Sequence, residues 1–328
     1  RPRMTVPSQE TPTKTFRIGV TERIETRHEL LAASSSHLLK AAGKGIRPTC
    51  VRLVGEAVNP LSPVADEHSR LGDAVELLHT GSLVHDDILD EAAKRRGVEA
   101  VHAKWGEKVA VLAGDYLLSQ ASILMASLGI PHLCRRMGEV LAGLCEGELL
   151  QDEQQHNLDV TISEYLERVA KKTSGPFELA CEGAAILSGG SERESEAARM
   201  LGYHLGRLFQ MIDDLLDWSS NAETLGKPVG QDLMAGNLTL PVLVTLAHPE
   251  LGPRLRAFLT PYPTELGHDL KDFLFQPDVY RLTLEQVEAE VALARKWLHE
   301  LPKAPARDEL ESYLDQLSEQ ARLNGPAV

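Results

Sequence analysis

Apolar residues recur at helical spacing along nearly the whole chain, and no stretch shows the strict alternation of a half-buried strand. This leaves few architectures open, because helices without a sheet can bury their apolar stripes only against one another. Helices are predicted at about 22–42, 47–58, 66–91, 107–128, 131–156, 161–188, 192–219 and 238–248, with more between 265 and 323. Turn-forming clusters separate them, at Gly43–Gly45, Asn59–Pro63, Arg96–Gly97, Gly129–Pro131, Ser188–Ser191, Leu225–Gly230 and Pro261–Pro263. Aromatic residues make up only 5% of the chain, which also favours helix over strand. With 328 residues, 43% of them hydrophobic, the chain can bury a large core. No internal repeat or interdomain linker stands out. The expectation is an all-α fold forming one large domain over residues 17–328, with residues 1–16, rich in Pro and Thr, as a disordered tail.

The net charge of −14 argues against a nucleic-acid partner, which calls for a basic face. It leaves an anionic substrate open, because local cations or metal ions can reverse the field inside a cleft. Cys50, Cys134, Cys145 and Cys181 form no CxxC pair and sit in apolar helical stretches. They read as buried free thiols, suited to a reducing, cytoplasmic setting. No apolar run is predicted to reach the roughly 18 residues that span a bilayer, so no transmembrane segment is expected.

Two acidic motifs carry the chemistry, Asp86-Asp87-Ile88-Leu89-Asp90 and Asp213-Asp214-Leu215-Leu216-Asp217. Residues i and i+4 share a helix face, so Asp86 and Asp90 point one way, as do Asp213 and Asp217. Both motifs are set in apolar sequence, after Leu83-Val84 and after Phe209, Met211 and Ile212. Clustered carboxylates there repel and lose hydration unless a cation compensates. One such motif alone reads equally well as a solvated acidic face; two, far apart in the chain, do not. Oxygen ligands of this kind suit Mg²⁺ bridging to substrate phosphates. The Glu-x-x-His spacing of helical di-iron sites also occurs, at Glu76/His79 and Glu153/His156. That reading leaves the six aspartates unexplained, and Glu153 and His156 lie in a polar run.

Cations follow each motif. Arg95-Arg96-Gly97 comes just after the first, where a helix C-cap is the plainer reading, and Lys227 lies beyond the second. Lys44 and Arg47, beside Gly43 and Pro48, open a helix whose N-terminal amides favour an anion. Lys171-Lys172-Thr173 lies within a helix and could be a solvated face. Each has a plain explanation alone; their pattern beside the acids points to a diphosphate.

The ordered set GKxxRP (43–48), HDDxxDxxxxRRG (85–97), GDYLL (114–118), KKT (171–173), FQxxDDxLD (209–217), LGKxxGxDL (225–233) and GNxTLP (236–241) resembles the all-trans (E-type) isoprenyl diphosphate synthases. The likeness runs from about residue 40 to 245 and is nearest to the medium- and long-chain polyprenyl synthases, heptaprenyl types included. It implies a helical bundle of the isoprenoid synthase type with a central cavity, and a homodimer. It implies Asp86, Asp90 and Asp213 as ligands for about three Mg²⁺ ions per site, with Asp87, Asp214 and Asp217 supporting them. Arg95, Lys172, Thr173, Gln210 and Lys227 would hold the allylic diphosphate; Lys172, Gln210 and Lys227 would act in catalysis with the metal-binding aspartates. Gly43, Lys44, Arg47, His79 and Arg96 would hold isopentenyl diphosphate. The chain departs from the family pattern at Ala42-Gly43-Lys44-Gly45, which lacks one expected cation, and at Asn237, often Lys.

The implied reaction joins isopentenyl diphosphate to an allylic diphosphate and lengthens it by one C5 unit. Gly81 and Ser82, about one turn before Asp86, are small and would leave the cavity floor open, giving a medium- or long-chain product. Ile123, Leu124 and Leu128 are candidate stoppers on the next helix. The alternatives are a C15 or C20 synthase, a class I terpene cyclase, and a non-catalytic subunit of a heteromeric synthase. A cyclase needs no second diphosphate site, and a non-catalytic subunit needs no intact acidic motifs.

Overall fold

The computed structural model describes residues 19–41, 45–62, 64–218 and 229–323. The predicted tail, Gly43, Lys44 and Lys227 lie outside the described residues. The architecture is all-α, as expected. A short 3₁₀ turn, Val20–Arg23, is followed by α1 (Glu29–Lys40), α2 (Ile46–Val58) and α3 (Asp66–Leu89). Then come α4 (Val101–Trp105), α5 (Glu107–Ser127), α6 (Pro131–Gln154), α7 (Ile162–Val169), α8 (Gly175–Leu187) and α9 (Glu192–Asp217). The chain ends with α10 (Gln231–Met234), α11 (Leu240–Ala247), α12 (Leu251–Phe258), α13 (His268–Leu274), α14 (Pro277–Leu298) and α15 (Pro305–Leu323).

Local chemistry fixes the boundaries. Thr161 and Ser191 open α7 and α9 with reciprocal capping boxes to Glu164 and Glu194. Pro131 sits in the first turn of α6, where a missing N–H costs nothing. α3 packs along α5 and α8, α9 runs between α8 and α14, and α2 is held by α3, α8 and α15. Leu71, Leu77 and Leu78 on α3 are completely buried, each contributing about 1.5–3 kcal/mol of apolar burial. Gly81 and Gly114 let α3 and α5 close up: a Cβ at Gly81 would lie 3.2 Å from the Gly114 carbonyl oxygen and from Leu118.

Three expectations are corrected, and the plainer alternative for Arg95–Gly97 falls away. Arg95–Gly97 is not a helix cap but part of a two-stranded hairpin, β1 (Lys94–Arg95) against β2 (Val98–Glu99). Arg96 and Gly97 take φ of 52° and 81°, as a tight two-residue hairpin requires. The predicted helix over 161–188 is interrupted by a π-helical turn, Ala170–Ser174, that holds the whole KKT motif. Cys50 and Cys181 are buried, but Cys134 and Cys145 are exposed, because they fall on the outward stripe of α6. Finally, α5 is long and apolar enough to cross a membrane by length and composition alone. One face of it lies against α3, while Val111, Leu112 and Ile123 are exposed.

Candidate active site

The first acidic motif closes α3. Asp90 is the C-cap, Glu91 takes a left-handed φ of 49°, and the Ala92 N–H donates to the Asp87 carbonyl at 2.9 Å. This sharp stop turns the chain into the hairpin, which brings Arg95 back onto the helix. Asp87 is fully buried, and Arg95 Nε and Nη2 reach its Oδ1 at 2.7 and 2.5 Å. The middle aspartate therefore anchors the hairpin, while Asp86 is half-buried and Asp90 exposed. Burial pushes the Asp86 carboxyl up to about 6; Lys172 opposes the shift, and Glu148 and Asp90 reinforce it. Asp90 is raised for the same first cause. These two carboxylates share a face and lack sufficient positive charge, which is the condition a hard divalent cation relieves. Among the described residues, no three or more His, Cys, Asp or Glu side chains form a metal-binding group. Asp86 and Asp90 are hard oxygen donors, and that donor chemistry fits such an ion.

The π turn sends adjacent lysines in different directions. Lys172 Nζ reaches Glu148 Oε2 at 2.7 Å and Gln151 Oε1 at 3.0 Å, whereas Lys171 pairs with Glu146. Thr173 shares the turn. The wide turn fits because its neighbours lack side chains. A Cβ at Gly147 on α6 would meet Lys172 Cγ at 2.7 Å, and one at Gly206 on α9 would meet Ser174 Cα at 2.4 Å. The Ser174 hydroxyl also donates to the Tyr203 carbonyl at 2.7 Å, seating the turn on α9.

The second motif repeats the logic of the first. Asp213 is exposed, Asp217 half-buried and Asp214 buried. Asp214 accepts hydrogen bonds from Tyr165 Oη (2.5 Å), Gln210 Nε2 (2.8 Å) and the Leu240 N–H (3.2 Å). Burial nevertheless pushes it up to about 7. Asp217, Trp218, Asp232 and Thr239 border one small cavity of about 180 Å³.

A separate cationic group gathers on α2, α3 and the hairpin. Arg47 lies over the Phe177 ring at 4.6 Å, and Phe177 stacks on Phe209 at 5.1 Å. Arg96 diverges from Arg95, with Nη1 donating to the Leu38 carbonyl (3.4 Å) and Nη2 lying 3.8 Å from Glu76 Oε1. Burial, then Arg47, Arg96 and Arg95, hold His79 well below the usual imidazole range, so it is neutral. Among the described residues, Arg47 Nε and Glu76 Oε2 are shut off from solvent without a hydrogen-bond partner. Such atoms are costly unless a ligand or water satisfies them. Glu76 and His79 thus belong to this cationic group rather than to a di-iron pair.

Gly81 lies in the α3–α5 seam, and the Ser82 hydroxyl donates to the His79 carbonyl at 2.8 Å. A larger cleft of about 540 Å³ runs between α6, α7 and α9; Lys171 borders it, and no aspartate of either motif does. The sequence did not single out Glu148, Gln151, Tyr165, Arg168 or Phe177. Glu148 and Gln151, three apart on a helix, share a face and gave a signal that could have been used. Tyr165 and Phe177 looked like ordinary core.

The sequence matches the polyprenyl synthetase family over residues 28–270. It is 33% identical over 293 residues to heptaprenyl diphosphate synthase component 2 of Bacillus subtilis (strain 168), covering 88% of this chain and 82% of that protein. The crystal structure of heptaprenyl diphosphate synthase from Staphylococcus aureus is similar with a TM-score of 0.84 and 28% identity, over 92% of this chain and 94% of that one. So is that of a polyprenyl synthase from Caulobacter crescentus CB15 complexed with calcium and isoprenyl diphosphate (TM-score 0.80, 29% identity, 91% and 92% covered). Helical architecture, paired aspartate motifs and these matches agree: the chain is an enzyme and belongs to the polyprenyl synthetase family.

Proposed function

We propose that this enzyme condenses isopentenyl diphosphate with an allylic diphosphate to give an all-trans polyprenyl diphosphate of medium or long chain. The observation that carries the reading is the presence of two distinct sites. One is a carboxylate wall with Lys172 and Arg95. The other is the Arg47–His79–Arg96 group, with a solvent-excluded guanidinium nitrogen that has no partner among the described residues. Two diphosphates need two such sites; a terpene cyclase needs one.

In this reading Asp86, Asp90 and Asp213 hold Mg²⁺, and Asp87 and Asp214 fix their helices. Magnesium, when bound, would supply positive charge to the departing diphosphate. Lys172, Arg95, Thr173, Gln210 and Lys227 orient that diphosphate and share its developing charge. The allylic C–O bond breaks and its electron pair leaves with the diphosphate. The isopentenyl double bond then forms the new C–C bond, and a proton is lost to the released diphosphate. Arg47, Arg96, Lys44 and Gly43 hold isopentenyl diphosphate, and neutral His79 adds a hydrogen bond without extra charge. Apolar walls around the motifs keep out water that would capture the allylic cation. The small, half-buried Ser82 supports a deep product tunnel, whereas Gly81 is taken up by the α3–α5 seam, where a Cβ would lie 3.2 Å from the Gly114 carbonyl oxygen. The exposed apolar residues Val111, Leu112, Ile123 and Leu149 on α5 and α6 support a homodimer across that face. Four free thiols support a cytoplasmic setting, and we read residues 17–328 as one domain.

The test is incubation with farnesyl diphosphate, labelled isopentenyl diphosphate and Mg²⁺, with EDTA as control. Elongated, EDTA-sensitive product is expected. No elongation, or elongation indifferent to EDTA, removes the reading.

A further inference from the structure

Among the described residues, one buried cation has no task in the reaction above. Arg168 on α7 is only 4% exposed, and arginine is rarely so buried without purpose. Its Nη1 donates to Gln154 Oε1 at 2.7 Å, at the end of α6. Its Nη2 donates to the Leu238 carbonyl at 3.0 Å, in the segment between α10 and α11. Both acceptors are neutral. The guanidinium also lies 5.6 Å from the centre of the Tyr165 ring. Tyr165 and the Leu240 N–H, two residues beyond Leu238, donate to the same oxygen, Asp214 Oδ2. Arg168 thus grips both arms that hold the buried aspartate of the second motif.

The same segment is pinned again nearby. The His156 N–H donates to the Gly236 carbonyl at 2.8 Å, and His156 takes a left-handed φ of 60° to do so. Its ring meets Tyr262 at 4.6 Å, and Tyr262 Oη donates to the Leu233 carbonyl at 2.6 Å. Residues 233–240 are therefore held by His156 just beyond α6, by Arg168 on α7 and by Tyr262 at once. Arg168 is the member of this set that also touches the tyrosine bonded to Asp214.

We propose that Arg168 is a positioning residue for the second aspartate motif. It sets Tyr165 and the 238–240 backbone so that both donate to Asp214, which orients the end of α9 and presents Asp213 to the metal and the allylic diphosphate. The proposal rests on the role given above to the second motif. Partners of this outer kind typically change metal affinity or activity by about 10–100-fold when removed.

The experiment measures steady-state elongation by Arg168→Met, Arg168→Lys and Tyr165→Phe. For Arg168→Met, the Mg²⁺ concentration for half-activity and the KM for farnesyl diphosphate should each rise about tenfold or more, with the KM for isopentenyl diphosphate unchanged. Lysine should restore part of the loss. Tyr165→Phe, which removes one hydroxyl and keeps the ring, should show the same split to a smaller degree. Equal rises in both KM values, or a lower melting temperature with normal kinetics, would overturn the proposal. Normal Mg²⁺ dependence and farnesyl KM in Tyr165→Phe would do so too, even if the Arg168 variants fail to fold. Asp213→Ala separates the two ideas: if it keeps full Mg²⁺-dependent activity, the reading of the second motif fails, whatever Arg168 does.

Discussion

Replacing Gly206 with alanine puts a methyl group 2.4 Å from Ser174 Cα, where ordinary contact begins at 3.4 Å. The obstacle is backbone, so it cannot swing aside as a flexible side chain would. Either α9 or the π turn must move by about 1 Å. α9 carries Gln210 and the second acidic motif from about one turn further on, and the π turn carries Lys172 and Thr173. The substitution should therefore shift the lysine relative to the second motif without touching either. A misplacement of about 1 Å in a catalytic constellation costs on the order of 100-fold in rate. Stability should suffer less: overpacking costs about 1–3 kcal/mol, and replacing a helical glycine with alanine returns about 1 kcal/mol. The assay compares kcat/KM for chain elongation with the thermal melting temperature. Gly143→Ala is the control, because its Cβ would meet nothing closer than the Lys171 carbonyl oxygen at 3.9 Å. A folded Gly206→Ala protein with wild-type kcat/KM would refute the claim that this contact sets the working position of Lys172.

Two further outcomes follow from the same geometry. Asp86 and Asp214, pushed up to about 6 and about 7 by burial, carry folded-state values above the unfolded carboxylate value of about 3.9. Their protonated forms thus favour folding, and the metal-free protein should lose stability as pH rises from about 4 through 7. Mg²⁺ held at Asp86 competes with the proton on that carboxyl, so it should raise the melting temperature more at pH 7.5 than at pH 5.5; equal shifts would contradict this account. At the proposed cavity floor, Ser82→Phe is a cleaner probe than Gly81→Phe, since a side chain at 81 runs into Gly114 and Leu118. Product chromatography should show shorter chains from Ser82→Phe, and an unchanged length distribution would remove Ser82 from the tunnel.

The helical architecture and both aspartate motifs were legible in the chain because they depend on short spacing. Apolar periodicity repeats every three to four residues, and DDxxD places its outer acids one turn apart. Capping residues such as Thr161 and Ser191 act within three residues, so helix starts were legible too. Three features depended on contacts between distant segments. The bend after Asp90 turned Arg95 back onto Asp87 and made a hairpin of what read as a helix cap. The π turn around Lys172 is set by the bare backbones of Gly147 and Gly206, each more than twenty residues away. Exposure of Cys134 and Cys145 follows from which face of α6 meets the bundle, a choice that an apolar run does not reveal.

The sequence by itself determined the chemistry on offer: six aspartates in two helices, cations after each, and small residues before the first motif. The tertiary structure decided which member of each motif faces which way. In both, the second aspartate is drawn inside, held by Arg95 in one and by Tyr165, Gln210 and Leu240 in the other. A buried carboxylate needs hydrogen-bond donors from elsewhere in the chain, and only folding brings those donors to it.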